Sequence, residues 1–389
     1  MKNIRHNTPR FEFALFAVLV SLLSVFCGES SAQNFKAAHP GVEYEQIDHK
    51  IANDPVKINL LRLDLTKVRI DVHHALDAAI GTETTSSIAT RHGAVAAINA
   101  GFFRLDNSIF AGDAAGILKI DRRVFSEDTQ KRSAIFIDNQ ADKTLVSFNH
   151  LETRSWFEVK ARVLEVSGIN RERKENELIE YTPKFHSTTL TSPNGSEVIV
   201  RKGKVIAIRK GLGSSLIPPD GLVLSASGSR QDNLLKWMKV GSKVKGFTAV
   251  SGTFDSLEDT PPYGYEDITN GVPQLLKGGK IDITWQQEKA SKSFAEMRHP
   301  RTAVAKMKDG KFLMITVDGR QPGVSVGMTL QELAEYLLSL GATDAMNLDG
   351  GGSTTMFLDG KIANTPSDKE GERKVGDAIL VTLRTNAHK

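Results

Sequence analysis

An α+β fold, a central mixed sheet with packed helices, is what this sequence predicts, and three observations carry that expectation. Near the C-terminus a strand, a capped helix and a second strand follow one another with short links, the pattern of a βαβ unit. Near the N-terminus, segments alternate apolar and polar residues with period two, as half-buried strands do. The 389 residues suffice to bury a sizeable core, and a single cysteine, Cys27, excludes a disulfide scaffold.

Taken in order, the chain opens on a targeting segment. Lys2, Arg5 and Arg10 make a basic flank, Phe11 to Cys27 is a mostly apolar run, and Ser30-Ser31-Ala32 supplies small residues for cleavage. Residues 1–32 therefore read as a signal peptide, with the mature chain secreted or periplasmic and free of a membrane span. The apolar run is long for a signal peptide, so an uncleaved anchor is the alternative. Bulky Phe26 before Cys27 argues against a lipid anchor. Fifty basic against 46 acidic residues leave a net charge of +4, too weak to argue for a nucleic-acid partner.

Residues 33–90 form a β-rich lead-in, with alternation in Lys57–Leu65 and Lys67–Val72. The main domain is expected over 91–389. Thr84 to His92 suits a short helix, and Gly93 to Ile98 a buried strand ending in Asn99-Ala100-Gly101. Hairpins are expected at 133–148 and 196–209, a seam at Leu178–Ser192, and a second short helix at Gln231–Met238. The C-terminal third is the most legible. A strand, Lys311–Val317, ends in Asp318-Gly319-Arg320. Thr329 and Glu332 then form a capping box, Leu330, Leu333, Ala334, Leu337 and Leu338 make an apolar stripe, and Gly341 ends the helix. The next strand ends in Asp349-Gly350. With the two strands parallel, as neighbours or one strand apart, Asp318 and Asp349 emerge at one edge, where Asn99 is a third candidate.

The chemistry gathers around Asp349. Met346 and Leu348 point to one face of their strand, Asn347 and Asp349 to the other. Gly350, Gly351 and Gly352 then permit a tight bend and close approach of a ligand, and Ser353 and Thr354 add hydroxyls. A plain glycine turn is the blander reading; a nucleotide P-loop is excluded because no lysine follows the glycines. Arg301 and Arg320 suit a phosphate or carboxylate, gripped through paired hydrogen bonds. For Arg301 the competing reading is an internal ion pair with Asp318 or Asp349. His299, before a proline, is more often structural. Ser353 and Thr354 lack a His–Asp arrangement by spacing, so they read as hydrogen-bonding groups.

Four blocks then occur in order: Ile98-Asn99-Ala100-Gly101-Phe102-Phe103, His299-Pro300-Arg301-Thr302-Ala303, Val317-Asp318-Gly319-Arg320 and Asn347-Leu348-Asp349-Gly350-Gly351-Gly352-Ser353. Together they resemble the phosphodiester glycosidase family, over roughly Ala94 to Leu383. The resemblance implies hydrolysis of the C1–O bond of a sugar-1-phosphate diester, of the N-acetylglucosamine-1-phosphodiester kind, here in a cell-envelope glycan. Asp349, Asp318 and Arg301 would be the catalytic set. Asn99, Gly101, His299, Arg320, Asn347, Gly350–Gly352, Ser353 and Thr354 would contact substrate. One departure is Asp377, where compared family members often carry Asn. No cofactor is required, although the Asp and Asn ligands are compatible with Ca²⁺. Two other classes stay open: a non-catalytic polysaccharide-binding envelope protein, and a metal-dependent phosphodiesterase. The second would want clustered His ligands, and the close pair His73-His74 reads more simply as the end of a strand.

Overall fold

A computed structural model describes residues 34–252 and 264–384; the expected signal peptide, 1–32, lies outside them. From Phe35 onward the chain forms one compact unit. The expected central mixed sheet with packed helices is overturned. The described residues are mostly strand, in several sheets, and contain four α-helices, of which two have ten residues and the others seven and five.

The largest sheet has eight strands in the order Lys36–His39, Val42–Ile51, Asp54–Leu63, Phe312–Val317, Arg301–Met307, Ala342–Asn347, Gln274–Lys277 and Lys280–Ile281. Every pairing in it is antiparallel. The C-terminal strand–helix–strand does form, but strand Arg301–Met307 lies between its two strands and pairs antiparallel with both. Local periodicity located the elements; it carried no information that the strand just before the unit, joined to it by the turn at 308–311, would fold back to fill the gap between them. Among the named strands the one parallel pair is Gly168–Ile169 with Leu178–Tyr181, in a separate five-stranded sheet.

Helix Leu330–Ser339 packs on one face of the eight-stranded sheet. Thr329 accepts from the Glu332 N–H and the Glu332 carboxylate accepts from the Thr329 N–H, so the capping box is complete and contributes about 1 kcal/mol. Leu330, Leu333 and Leu337 meet Ile58, Leu60, Ala303, Ala305 and Ile315 in a buried layer. The opposite face contributes Leu61, Leu63, Val304, Met314, Met346 and Leu348 to the main core. There it meets a five-stranded sheet ordered Lys361–Ile362, Met356–Leu358, Ala96–Asn99, Asp377–Leu383 and Val68–His74. Strands from residues 36–74 thus serve both sheets.

This packing creates a shared edge. Arg301 is register partner of Val317, and Ala303 of Asn347, so Arg301, Asp318 and the Asn347–Asp349 turn all leave the large sheet at one end. The second sheet arrives at the same place, because the Asp349 N–H donates to the Ala100 carbonyl at 2.9 Å.

Candidate active site

Asn99 ties the two sheets together. Its amide Nδ2 donates to the Asp349 carbonyl at 2.7 Å, and its Oδ1 accepts from the Thr302 hydroxyl at 2.8 Å and the Thr355 N–H at 3.1 Å. The side chain is fully buried, and these bonds hold both ends of the glycine turn. Asn99 is thereby placed as a positioning residue. Asn347 resembles it on the donor side, giving Nδ2 to the Val272 and Leu348 carbonyls, while its Oδ1 has no protein partner.

The glycine turn is packed from three sides. A Cβ on Gly350 would lie 2.8 Å from the Pro300 carbonyl oxygen, and one on Gly352 2.1 Å from Nη2 of Arg373. Gly351 has φ +62°, the left-handed region, and a Cβ there would sit 3.0 Å from Nη2 of Arg320. Close approach by the protein itself therefore explains much of the run. Two of its amide donors are engaged: Gly350 N–H by the Asp349 carboxylate at 2.9 Å, and Gly351 N–H by the Pro300 carbonyl at 2.9 Å. Beyond the glycines, the buried hydroxyls of Ser353, Thr354 and Thr355 have no protein hydrogen-bond partner. Nor does the amide Nδ2 of Asn270, which would lie 2.7 Å from a Cβ on Gly101. So many unpartnered polar groups around one turn mark a place where a polar ligand supplies the missing partners.

Burial pushes the Asp349 carboxyl up to about 6. The Gly350 N–H and Arg373 oppose the rise, and Asp377 adds to it; the Ser353 hydroxyl lies alongside but makes no hydrogen bond of good geometry. Arg373 is itself held by Asp368 through two contacts, Nε to Oδ2 at 2.8 Å and Nη2 to Oδ1 at 3.1 Å.

Asp318 plays a different part. Its buried carboxylate accepts from the Asn364 amide at 3.1 Å and from the Thr365 N–H at 3.1 and 3.2 Å. Asn364 in turn accepts from the Met356 N–H and donates to the Thr354 carbonyl. Asp318 thus anchors the segment that backs the glycine turn, and burial raises its pKa. The carboxyl that Asp349 senses is Asp377. That residue is buried, accepts from the Gly101 N–H at 2.7 Å and from the Thr269 hydroxyl at 2.5 Å, and is also raised by burial.

Arg301 is 1% exposed and makes no ion pair among the described residues. Its Nε donates to the Met328 carbonyl at 2.8 Å, and its Nη2 to the Phe294 and Met297 carbonyls at 2.7 and 3.0 Å. The Phe294 ring lies 4.9 Å away, and Phe294 meets Phe102 edge-on. Burial, with Arg320 adding, holds the guanidinium down at about 9. The ion pair with Asp318 or Asp349 is not formed; backbone carbonyls take its place. His299 connects the two arginines: its Nδ1 is 3.5 Å from Nη2 of the exposed Arg320, and burial with both arginines lowers its pKa. Arg301 and Arg320 therefore lend the glycine turn a positive setting, with Asp349 the carboxylate at its start. Sequence reasoning missed Arg373, Asn270 and Phe294; only Asp377 carried a signal, as a departure from the family pattern. Cavities of ≈ 490 and ≈ 560 Å³ lie elsewhere, lined by Phe157 and Phe247 and by Trp285 and Leu330, so chemistry rather than volume locates this site.

A β-rich frame thus presents a carboxylate, a glycine turn and arginines at one edge. Residues 194–382 match the phosphodiester glycosidase family, whose members are hydrolases acting on glycosyl bonds. The N-acetylglucosamine-1-phosphodiester alpha-N-acetylglucosaminidase of Mus musculus is 30% identical over 158 residues, 38% of this chain and 29% of that protein; the Homo sapiens protein is 29% identical over 154 residues, 37% and 28%. The matched region thus spans less than a third of these relatives. Among solved structures, a presumed exported protein of Burkholderia pseudomallei aligns over 85% of this chain and 74% of its own, with TM-score 0.74 and 25% identity. A hypothetical protein from Synechocystis shares the fold at TM-score 0.74 and 23% identity, over 88% of this chain and 62% of its own. No helix among the described residues is long and apolar enough to cross a membrane.

Proposed function

We propose that this protein hydrolyses the C1–O bond of a sugar-1-phosphate diester at the Asp349–Thr355 turn, acting after export on a cell-envelope glycan. The observation that carries this is Arg301, a buried cation hydrogen-bonded to carbonyls and in direct contact with no carboxylate, Glu332 acting on it only through space, one residue from the Pro300 carbonyl that grips the glycine turn. An unneutralised buried charge favours an arriving anion. Arg320, exposed against Gly351, is suited to touch the phosphate, with Arg301 supplying potential from beneath.

Asp349 acts on the other side of the bond. With its carboxyl near 6 it is mostly ionised at neutral pH, yet basic enough to take a proton from water or to attack C1. The departing phosphate monoester leaves as an anion and needs no strong acid. The unpartnered Ser353, Thr354 and Thr355 hydroxyls and the Asn270 amide are placed to bond sugar or phosphate oxygens. Phe102 and Phe294 give the rim an apolar surface for a sugar face. In this reading Asp318, Asn99 and Asn347 position the turn, and no metal step is invoked.

The test is turnover of the purified mature protein on a panel of sugar-1-phosphodiesters in ¹⁸O-water. Label in the sugar hydroxyl supports C1–O cleavage. Label in the phosphate would establish a phosphodiesterase, and binding without turnover a polysaccharide-binding protein.

A further inference from the structure

Strand Val68–His74 ends in two histidines that face opposite ways. His74 is buried, and its ring nitrogens bond the Ala75 and Gly112 carbonyls at 3.0 and 2.8 Å. That side chain is structural. His73 makes no hydrogen bond among the described residues. It lies face to face with His92, the residue capping helix Thr85–Arg91, with ring centroids 3.6 Å apart and planes at 25°.

Asp77 completes the group. Its Oδ1 is 3.0 Å from Nε2 of His92, and the turn carrying it holds Leu76 and Asp77 both at positive φ, +58° and +53°. Two consecutive non-glycine residues in the left-handed region are a backbone expense that sets where this carboxylate stands. One donor atom from each of the three residues lies within 4.8 Å of the others. Stacked imidazoles cannot both take a proton without repulsion, and His73 gives neither ring nitrogen to a protein partner among the described residues.

We infer that His73, His92 and Asp77 form a binding site for a divalent cation of the zinc class. Two imidazole nitrogens and one carboxylate oxygen are a familiar ligand set for Zn²⁺, with the fourth position left to water. Tetrahedral spacing needs donors roughly 3.4 Å apart, so binding requires the stacked rings and Asp77 to turn toward the ion. The adjoining cavity, ≈ 380 Å³, is also lined by Asp121, an additional carboxylate. Arg91 occupies Oδ2 of Asp77, so a cation would enter between Oδ1 and Nε2 of His92 in place of their contact, while Arg123 and Lys184 on the cavity wall oppose a cation and limit its affinity.

The ion would be structural. His73 is register partner of Ala378 and His74 of Asp377, so it would pin the 75–92 segment to the strand supporting Gly101. The experiment uses the mature chain, stripped with chelator and titrated with ZnCl₂ by calorimetry at neutral pH. One ion per chain and a raised melting temperature are expected, with Mg²⁺ failing to compete. His73→Ala should abolish binding, and Asp77→Asn, at an exposed position, should weaken it by at least about tenfold. Circular dichroism checks each variant's fold; if His73→Ala misfolds, His92→Gln and Asp77→Asn decide. Absence of saturable binding, or binding unchanged in these variants, overturns the site.

Discussion

Replacing Asp349 by Asn separates chemistry from stability, because the structure predicts opposite signs for the two. Burial lifts the carboxyl from 3.8 to about 6. The folded protein therefore holds that proton more tightly than the unfolded chain. Stability contributed by this group is highest at low pH and falls as pH rises through the window from 3.8 to about 6. Above that window the charged carboxylate is a standing cost. Two units correspond to roughly 3 kcal/mol, and partial exposure reduces this to about 1–2 kcal/mol. Asn keeps the acceptor for the Gly350 N–H and removes the charge, so Asp349→Asn should be more stable than the parent at pH 7. The gain should vanish near pH 4, where the parent carboxyl is also neutral. Turnover should fall by a factor on the order of 10² or more, while a sugar phosphate still binds. Urea unfolding at the two pH values gives the first sign and steady-state kinetics the second. A variant that keeps near-normal turnover removes Asp349 as base or nucleophile. A less stable variant at pH 7 refutes the account of its burial.

Further outcomes are expected. Arg301→Lys should lose the Met328 contact, since Nε lies higher in the side chain than an ammonium group, at about 1.5–3 kcal/mol. Lysine also starts about two units lower than arginine, so the same burial brings its loss of charge into the neutral range, and residual activity should fall from pH 6 to pH 8; a flat profile matching the parent would show that the charge is not used. Asp377→Asn keeps an acceptor for the Gly101 N–H while removing a negative neighbour of Asp349. The acid limb of the pH–rate profile should then move to lower pH, and a limb that stays put or rises contradicts that coupling. N-terminal sequencing of the exported protein should begin near Gln33, whereas Met1 would indicate an anchor.

What could be read in the sequence was local. The helix over Leu330–Ser339 announces itself through a capping box and an i, i+3, i+4 stripe, both contained in a dozen residues. Its flanking strands are equally plain. Their pairing is not, because strand Arg301–Met307 enters between them from outside the unit, and nothing in Phe312–Asn347 encodes that insertion. Strand-rich stretches with few helices made an antiparallel architecture available, but one well-formed strand–helix–strand drew the reading toward a mixed sheet. At the site, Asp349 and the glycines reach one edge because their strand ends there, which a strand-end argument can anticipate, and Arg301 joins them because its antiparallel strand begins there. That Asp377 and not Asp318 is the carboxyl felt by Asp349 depends on a contact across two sheets. His73 and His92, nineteen residues apart on a strand and a helix cap, are invisible as a pair until the chain is folded.

Asp377 shows how the two kinds of information combine. An aspartate where compared family members often carry asparagine looks at first like an added charge that would repel a phosphate. Placed under Gly101, with an N–H and a hydroxyl donating to its two oxygens, it sits behind the turn instead. Burial favours its protonated form, which has nearly the shape of asparagine and lacks the charge. As pH rises and the carboxyl ionises, its field on Asp349 grows and makes that group a stronger base. A position that is electrically inert when asparagine thus becomes, as aspartate, a control on the basicity of Asp349. The same residue sits in register with His74, beside the proposed cation site.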